Sequence, residues 1–258
     1  MPVSEAFHRL WTRLDAIVAD VRPTPWGAVV TRPSAPDVWD VNYARVDIGD
    51  AVAVEEIEAA LLPALREADV AVEHVVTFHE EAHEDLFAAL AARGHRVGSD
   101  AVLVLDHAPV LERGPLVEEL VDADELPAVV TSVLREGFEI GPDEAVQQLV
   151  ELDRQVLRPA GKRWFGIRDG GRIVSAGTLL VIDDAASVDD VATLPASRGR
   201  GYASAVVSRI AEEARRTGAG EVMLLADPGA PRVIAMYERL GFRETGRIVS
   251  SRGPTPAA

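Results

Sequence analysis

The chain contains no cysteine, which removes disulfides, thiolate nucleophiles and cysteine-based zinc sites from the functions to consider. Positive charge is also scarce: 26 Lys and Arg stand against 42 Asp and Glu, a formal charge of −16 over 258 residues. That balance argues against a general affinity for nucleic acid or anionic membranes and favours a cationic or amine-bearing partner. Long apolar runs are missing too. No segment approaches the roughly 20 residues needed to span a bilayer, and the start "MPVSEAFHRLWTRLDAIVAD" mixes charges at helical spacing where a secretory signal needs a continuous apolar core. The expectation is a cytoplasmic protein, monomer or homodimer, with neither nucleic acid nor membrane as partner. What the chain does have is 48% apolar residues, enough for a sizeable core in one large domain or two small ones.

The stretch "HAPVLERGP", His107 to Pro115, carries two prolines and a glycine between more periodic regions, so a boundary is expected there, dividing the chain into residues 1–112 and 113–258. In the second part, "VEELVDADELPAVVTSVLREGF" reads as a strand and a helix, and "GPDEAVQQLVELDRQVLRP" as a second helix. "RWFGIRD" and "RIVSAGTLLVID", turned by Gly170 and Gly171, form an expected hairpin, and "SVDDVATL" a further strand. After a glycine turn, Ala203, Val206, Val207, Ile210, Ala211 and Ala214 recur at the spacing of one buried helix face, capped by Gly218. "EVMLLAD" is then a buried strand, "PRVIAMYERL" a helix opened by Pro231 and closed by Gly241, and "FRETGRIVS" a last strand. The first part repeats some of this order, with "VEEIEAALLPALREA", "VEHVVTF" and "EDLFAALAARGHR" as helix, strand and helix. The fold class expected is α/β with a mixed sheet.

The glycine turn, "SRGRGYAS" from Ser197 to Ser204, is the feature with most chemistry in it. Glycine lets the backbone approach another group closely, and a helix that begins directly afterwards offers unpaired N–H groups to an anion. An ordinary strand-to-helix turn has the same composition. The neighbouring motifs distinguish the two. Arg198, Gly199, Arg200, Gly201, Tyr202 and Ala203 follow the pattern Arg or Gln, two variable residues, Gly, one variable residue, Gly or Ala; "VATLP" precedes it as a strand end, and "MYERLGF" follows as a helix with its tyrosine. In this the C-terminal half resembles the GNAT superfamily of acyl-CoA-dependent N-acyltransferases, over roughly residues 116–250.

The resemblance implies a twisted mixed sheet whose central parallel strands splay apart to admit a pantetheine arm. It implies acetyl-CoA as co-substrate, with no metal, and a small-molecule or peptide amine as acceptor. The amides from Gly199 to Ser204 would wrap the CoA pyrophosphate, with charge from Arg198 and Arg200 and a donor from the Ser204 hydroxyl. Backbone groups of Val191, Ala192 and Thr193 would hold the pantetheine and polarise the thioester carbonyl. Transfer to an amine also needs a neutral nucleophile and a proton for the departing thiolate. By resemblance Tyr237 is the acid; a core aromatic is its plainer reading. Asp189 and Asp190 lie on the strand feeding the turn, where family members carry a carboxylate base acting directly or through water. Strand alternation sends the two to opposite faces, and Asp189 shares a face with Val191 and Thr193. Solvated strand-end charges are the alternative, and Glu139 in "REGFEIG" an outside candidate base.

In the N-terminal half, "VDIGDAVAVEE" stands where a phosphate turn should precede the helix, and Leu90 stands opposite Tyr237. This half is expected to be a degenerate GNAT-like domain without a CoA site. Two rival readings remain. A non-catalytic acyl-CoA sensor would keep the backbone contacts without turnover. "HEEAH", His79 to His83, matches the H-E-x-x-H pattern of zinc hydrolases, but falls at a strand-to-helix junction where that motif needs one continuous helix; an acidic helix start with solvated histidines is expected there. His74, in a strand, is expected to be half-buried.

Overall fold

The computed structural model describes residues 3–107 and 114–253. The boundary expected at 112/113 lies outside those residues. Two compact units emerge: Met1–Val102 with Thr245–Ala258, and Leu103–Glu244.

The first unit contains α1 (Glu5–Val18), β1 (Asp20–Thr24), β2 (Gly27–Thr31), β3 (Tyr43–Val46), α2 (Val54–Glu67), β4 (His74–Thr77), α3 (Glu84–Ala92) and most of β5 (Arg96–Leu105). Ser4 caps α1 by accepting from the Phe7 amide at 3.1 Å, the usual way to satisfy a free first-turn N–H. β1, β2 and β3 pair antiparallel in succession, and β4 lies parallel to β3. A parallel neighbour requires a crossover, which α2 supplies. Its apolar face, Ile57, Leu61, Ala64 and Leu65, packs on Val29, Ala44 and Val75 of the sheet and on Phe87 and Leu90 of α3.

The second unit contains β6 (Glu118–Leu120), α4 (Leu126–Ser132), α5 (Asp143–Leu152), β7 (Arg163–Asp169), β8 (Arg172–Ile182), β9 (Ala185–Thr193), α6 (Tyr202–Arg216), β10 (Glu221–Ala226) and α7 (Pro231–Arg239). β6 to β9 pair antiparallel in chain order, and β10 is parallel to β9 across the α6 crossover. The Gly170–Gly171 hairpin forms as read. α4 and α5 each run on into a wide π turn, at Val133–Gly137 and Asp153–Leu157. α6 buries Val206, Val207, Ile210, Ala211 and Ala214 completely, so truncating Ile210 to Ala would cost about 2–5 kcal/mol.

The last strand, β11 (Phe242–Arg252), starts in the second unit and finishes in the first. Val249 to Arg252 pair antiparallel with Thr77 to His74, Val249 joins the first unit's core, and the Gly253 amide donates to the backbone carbonyl of Glu73 at 2.7 Å. Both units follow one plan: antiparallel pairings, two in the first unit and three in the second, then a helical crossover, a parallel strand and a second helix. The mixed α/β sheet expected from the sequence is present in each.

Candidate functional site

In the second unit the parallel ladder is short. β9 and β10 pair only at Ala185 with Glu221, Ala186 with Val222 and Ser187 with Met223. Both strands continue, to Thr193 and Ala226, so beyond Ser187 their facing backbone groups have separated. This gap is the splay the resemblance implies, and Val191, Ala192 and Thr193 line its β9 side.

A bulge shapes that wall. Thr178 pairs with Asp189 but Ala176 pairs with Ala192, so β9 carries one extra residue, and Asp190 takes it up in the left-handed region at φ 50°. The alternation used to place Asp189 on the face of Val191 and Thr193 therefore fails, because the left-handed residue between them resets the direction of the strand. Asp190 turns its carboxylate inward: Oδ2 accepts from Lys162 Nζ at 2.7 Å and from Thr178 Oγ1 at 3.1 Å. Asp189 is solvent-accessible, yet the protein around its carboxyl partly desolvates it. Desolvation there, and then the charge of Asp190, push its pKa up to about 6.

Tyr237 sits on α7 with its ring 6% exposed, packed edge-on to Phe242 at 6.0 Å. Burial, and then the negative charge of Asp189, raise its pKa to about 12, so the phenol lies within range of that carboxylate's charge. In place this phenol holds its proton more firmly than an ordinary tyrosine does.

The glycine turn follows. Gly199 and Gly201 adopt φ 78° and 77°, which a residue with a Cβ takes only at a cost, and a Cβ at either would project into open space. Gly201 is the N-cap of α6 and offers no side chain; no other side chain caps the helix and no acidic residue lies in its first turn. The amides at this end, through Ala203 and Ser204, thus face outward with the positive end of a 15-residue helix behind them. Such a cradle fits a pyrophosphate. Arg198 is partly engaged in holding the backbone: Nε donates to Thr193 O at 3.1 Å and Nη2 reaches Gly137 O at 3.4 Å. Both acceptors are neutral, so its charge is not cancelled. Arg200 pairs with Asp169 at 3.2 Å, an exposed contact of small worth. Glu139 is exposed and left-handed, at φ 58°, in the loop after Gly137, and Gly137 lies so close to Ala192 that a Cβ would meet it at 2.6 Å.

Sequence reasoning missed a buried row of charges behind β9. Lys162 Nζ lies 2.7 Å from Asp190 and 3.4 Å from Asp153, over the ring of Trp164 at 5.2 Å. Asp153 accepts from Trp164 Nε1 at 2.9 Å and faces Arg158 Nε at 3.0 Å. The available signal was Asp153 and Lys162 among the charges of "ELDRQVLRPAGK", set just before apolar "WFGI", but only the fold brings them to Asp190.

The histidines of "HEEAH" differ from expectation. His83 is 1% exposed and His79 half-buried, and their Nε2 atoms face the carbonyls of Ile48 and Asp47 at 2.8 and 2.9 Å. Each ring finds its partner in the loop after β3 and not in solvent. Only a short 3-10 turn, Glu80–His83, separates them from α3. His74 is fully buried, not half-buried.

The acetyltransferase (GNAT) family model matches residues 126–242. No curated protein shows a significant match to the chain. A functionally unknown conserved protein from Staphylococcus epidermidis has a similar structure, with a TM-score of 0.72 at 14% identity, over 93% of this chain and 95% of that one. A GCN5-related N-acetyltransferase from Kribbella flavida aligns with a TM-score of 0.63 at 20% identity over 95% of both chains. A tandem GNAT protein from the clavulanic acid biosynthesis pathway aligns at 0.55 and 14% identity over 79% of this chain and 70% of that one. These likenesses extend the fold across both units. The likenesses give the fold; the family match shows an acetyltransferase (GNAT) domain at residues 126–242, and that family's members transfer an acyl group from acyl-CoA to an acceptor.

Proposed function

We propose that the second unit transfers an acetyl group from acetyl-CoA to a primary amine by direct attack on the thioester, with Asp189 as base and Tyr237 as acid. The observation that carries this reading is the pairing of an accessible carboxylate of raised pKa with a buried phenol that senses its charge, beside a splayed parallel pair that leads to the glycine cradle. Asp189 is preferred to Asp190 because Asp190 already accepts from Lys162 and Thr178.

Bound acetyl-CoA supplies an activated acyl carbon and a thiolate leaving group. The amides from Gly199 to Ser204 hold the pyrophosphate and those of Val191 to Thr193 orient the thioester. Asp189, ionised above about pH 6, takes a proton from the amine nitrogen as it bonds to the acyl carbon. Tyr237 first donates a hydrogen bond to the sulfur. Once Asp189 carries the proton, its charge no longer raises the Tyr237 pKa, so the phenol becomes a better acid as the carbon–sulfur bond breaks. Its proton passes to the thiolate, and both side chains return to their starting states by exchange with water.

The test is thiol release from acetyl-CoA across a panel of primary amines, with wild type and Asp189→Asn. Turnover with at least one amine, lost by about a hundredfold or more in the variant, supports the reading. Tight binding of acetyl-CoA with no release for any amine would favour the sensor.

A further inference from the structure

We infer that Lys162, held between Asp153 and Asp190, is a positioning residue that fixes the bulge of β9 and sets the charge state of Asp189. This rests on the proposed role of Asp189 as base, and extends it to residues outside the cleft. Three observations lead to it. First, Asp190 is a non-glycine residue at φ 50°, a conformation that persists only when its surroundings hold it, and the contacts available to do so are Lys162 at 2.7 Å and Thr178 at 3.1 Å. Second, the same bulge turns the Asp190 amide onto Asp189 Oδ1 at 2.8 Å, so whatever fixes Asp190 also aims Asp189. Third, Lys162 is itself fixed: its side chain is 10% exposed and packed over Trp164, and Asp153 beyond it is 3% exposed and tied to Trp164 and Arg158.

The groups facing Asp189 have opposing effects. Asp190, on its own strand, disfavours a second negative charge, and Lys162, from the turn before β7, favours it. α7 brings Tyr237 and β8 brings the neutral Thr178. α6 meets this part of the sheet through Val206 and Ile210, beside Gly177 and Val191, and the π turn after α4 meets it through Gly137. Burial alone would lower the pKa of Lys162, but Asp190 and Asp153 more than compensate and raise it, so the cation is permanent at working pH. Lys162 thus offsets one of two adjacent carboxylates and leaves the other near its titration point.

The experiment is a carbon-13 NMR titration of the full chain with labelled aspartate, the Asp189 carboxyl being assigned by its loss in Asp189→Asn. Lys162→Met removes the cation and should move the Asp189 midpoint up by about one pH unit; Asp190→Asn removes the like charge and should move it down by about as much. Asparagine tolerates the left-handed region and can still accept from Lys162, so Asp190→Asn keeps the measurement possible even where Lys162→Met does not fold. Shifts of opposite sign support the inference, as does a downward shift in Asp190→Asn where Lys162→Met does not fold. An unmoved midpoint in folded Lys162→Met or in Asp190→Asn, or both variants moving the same way, overturns it. Because the readout is titration, it stands apart from the base role: wild-type kcat in Asp189→Asn would remove that role without altering the NMR result.

Discussion

The two units share one plan and differ at one place, where the parallel strands meet. In the second unit the ladder between β9 and β10 stops after three pairs and the strands part. In the first, β3 and β4 remain paired to the end of both strands, Val46 with Thr77, and Thr77 Oγ1 donates to Val46 O at 3.2 Å. Beyond that point His79 and His83 take the next two carbonyls, of Asp47 and Ile48. The polar groups that one unit leaves open to a ligand are therefore satisfied internally in the other, which is what burial demands of them. The helices differ in the same sense. α6 starts at left-handed glycines with no acid in its first turn, whereas α2 starts at Ala53 with Glu55 and Glu56, charges that stabilise a helix start but repel a phosphate. Where the second unit has a partly accessible carboxylate, the first buries a network: Tyr43 donates to Asp15 at 2.5 Å, Trp11 to Tyr43 at 2.6 Å, and Arg45 bridges Asp15 and Asp47. A shared plan thus carries parted strands in one unit and a closed polar core in the other.

The sharpest way to separate the copies is at the helix after the parallel strand, where α7 carries Tyr237 and α3 carries Leu90. Tyr237→Phe keeps the ring against Phe242 but deletes the donor, so kcat should fall by roughly 10² to 10⁴ with acetyl-CoA affinity retained. Steady-state kinetics with an active amine decides. Wild-type kcat would make proton delivery a task for water, and a loss of affinity alone would make Tyr237 a packing residue.

Next in size is the closed network. Arg45→Met leaves Asp15 buried without its cation, at a cost of about 3 kcal/mol or more. Hydrogen exchange should speed up across β1 to β4, while acetyl-CoA binding, assigned to the second unit alone, is retained. Unchanged exchange would mean that the network contributes little to closing the first unit. A smaller effect is expected at the cradle: Gly201→Val puts a branched side chain at φ 77° and into the space a phosphate would use, weakening acetyl-CoA binding at least about tenfold, or about 1.4 kcal/mol. Its counterpart in the first unit, Ala53→Val, should leave affinity as it was. Calorimetry that found the two variants alike would place the phosphates elsewhere.

Much of the second unit was legible because its signals are local. The helix faces of α6 and α7, the Gly170–Gly171 hairpin and the glycine turn each declare themselves within about fifteen residues. The first unit was legible in α2, β4 and α3 but not in its leading strands. β1 is a largely exposed strand containing Pro23, and β3, "YARV", buries an arginine in the middle of four residues, so neither shows the apolar alternation that marks a strand. The bulge at Asp190 was hidden for a different reason: it is held by Lys162, 28 positions earlier in the chain, and no pattern along β9 records that contact. The division of β11 between units was equally unreadable, since "FRETGRIVSSR" looks like one strand and the pairing of its end with β4 is recorded nowhere along it.

The smallest effect should come from a proton taken up only on unfolding. His74, in the first unit, is 3% exposed, its Nδ1 faces Trp39 O at 3.0 Å, and Arg252 stacks over Trp39. Burial, with help from the charge of Arg252, lowers its pKa to about 4, against an ordinary value near 6.5. A group with a depressed folded pKa binds its proton more readily when unfolded, so the stability it contributes is present above about pH 6.5 and is lost as pH falls toward 4. Between pH 7 and 5.5 the loss is about 1 kcal/mol. Asp15 opposes it: its pKa is raised to about 6 by burial, so its contribution is present below the ordinary carboxylate range and declines as pH rises through 6. Comparison with His74→Gln, which keeps a donor toward Trp39 and retains Asp15, cancels that second influence. Urea unfolding followed at Trp11 and Trp39 should show wild type losing about 1 kcal/mol more than the variant over this interval. Parallel curves would mean that His74 gains its proton without unfolding, and that β4 opens to water more readily than its closed ladder suggests.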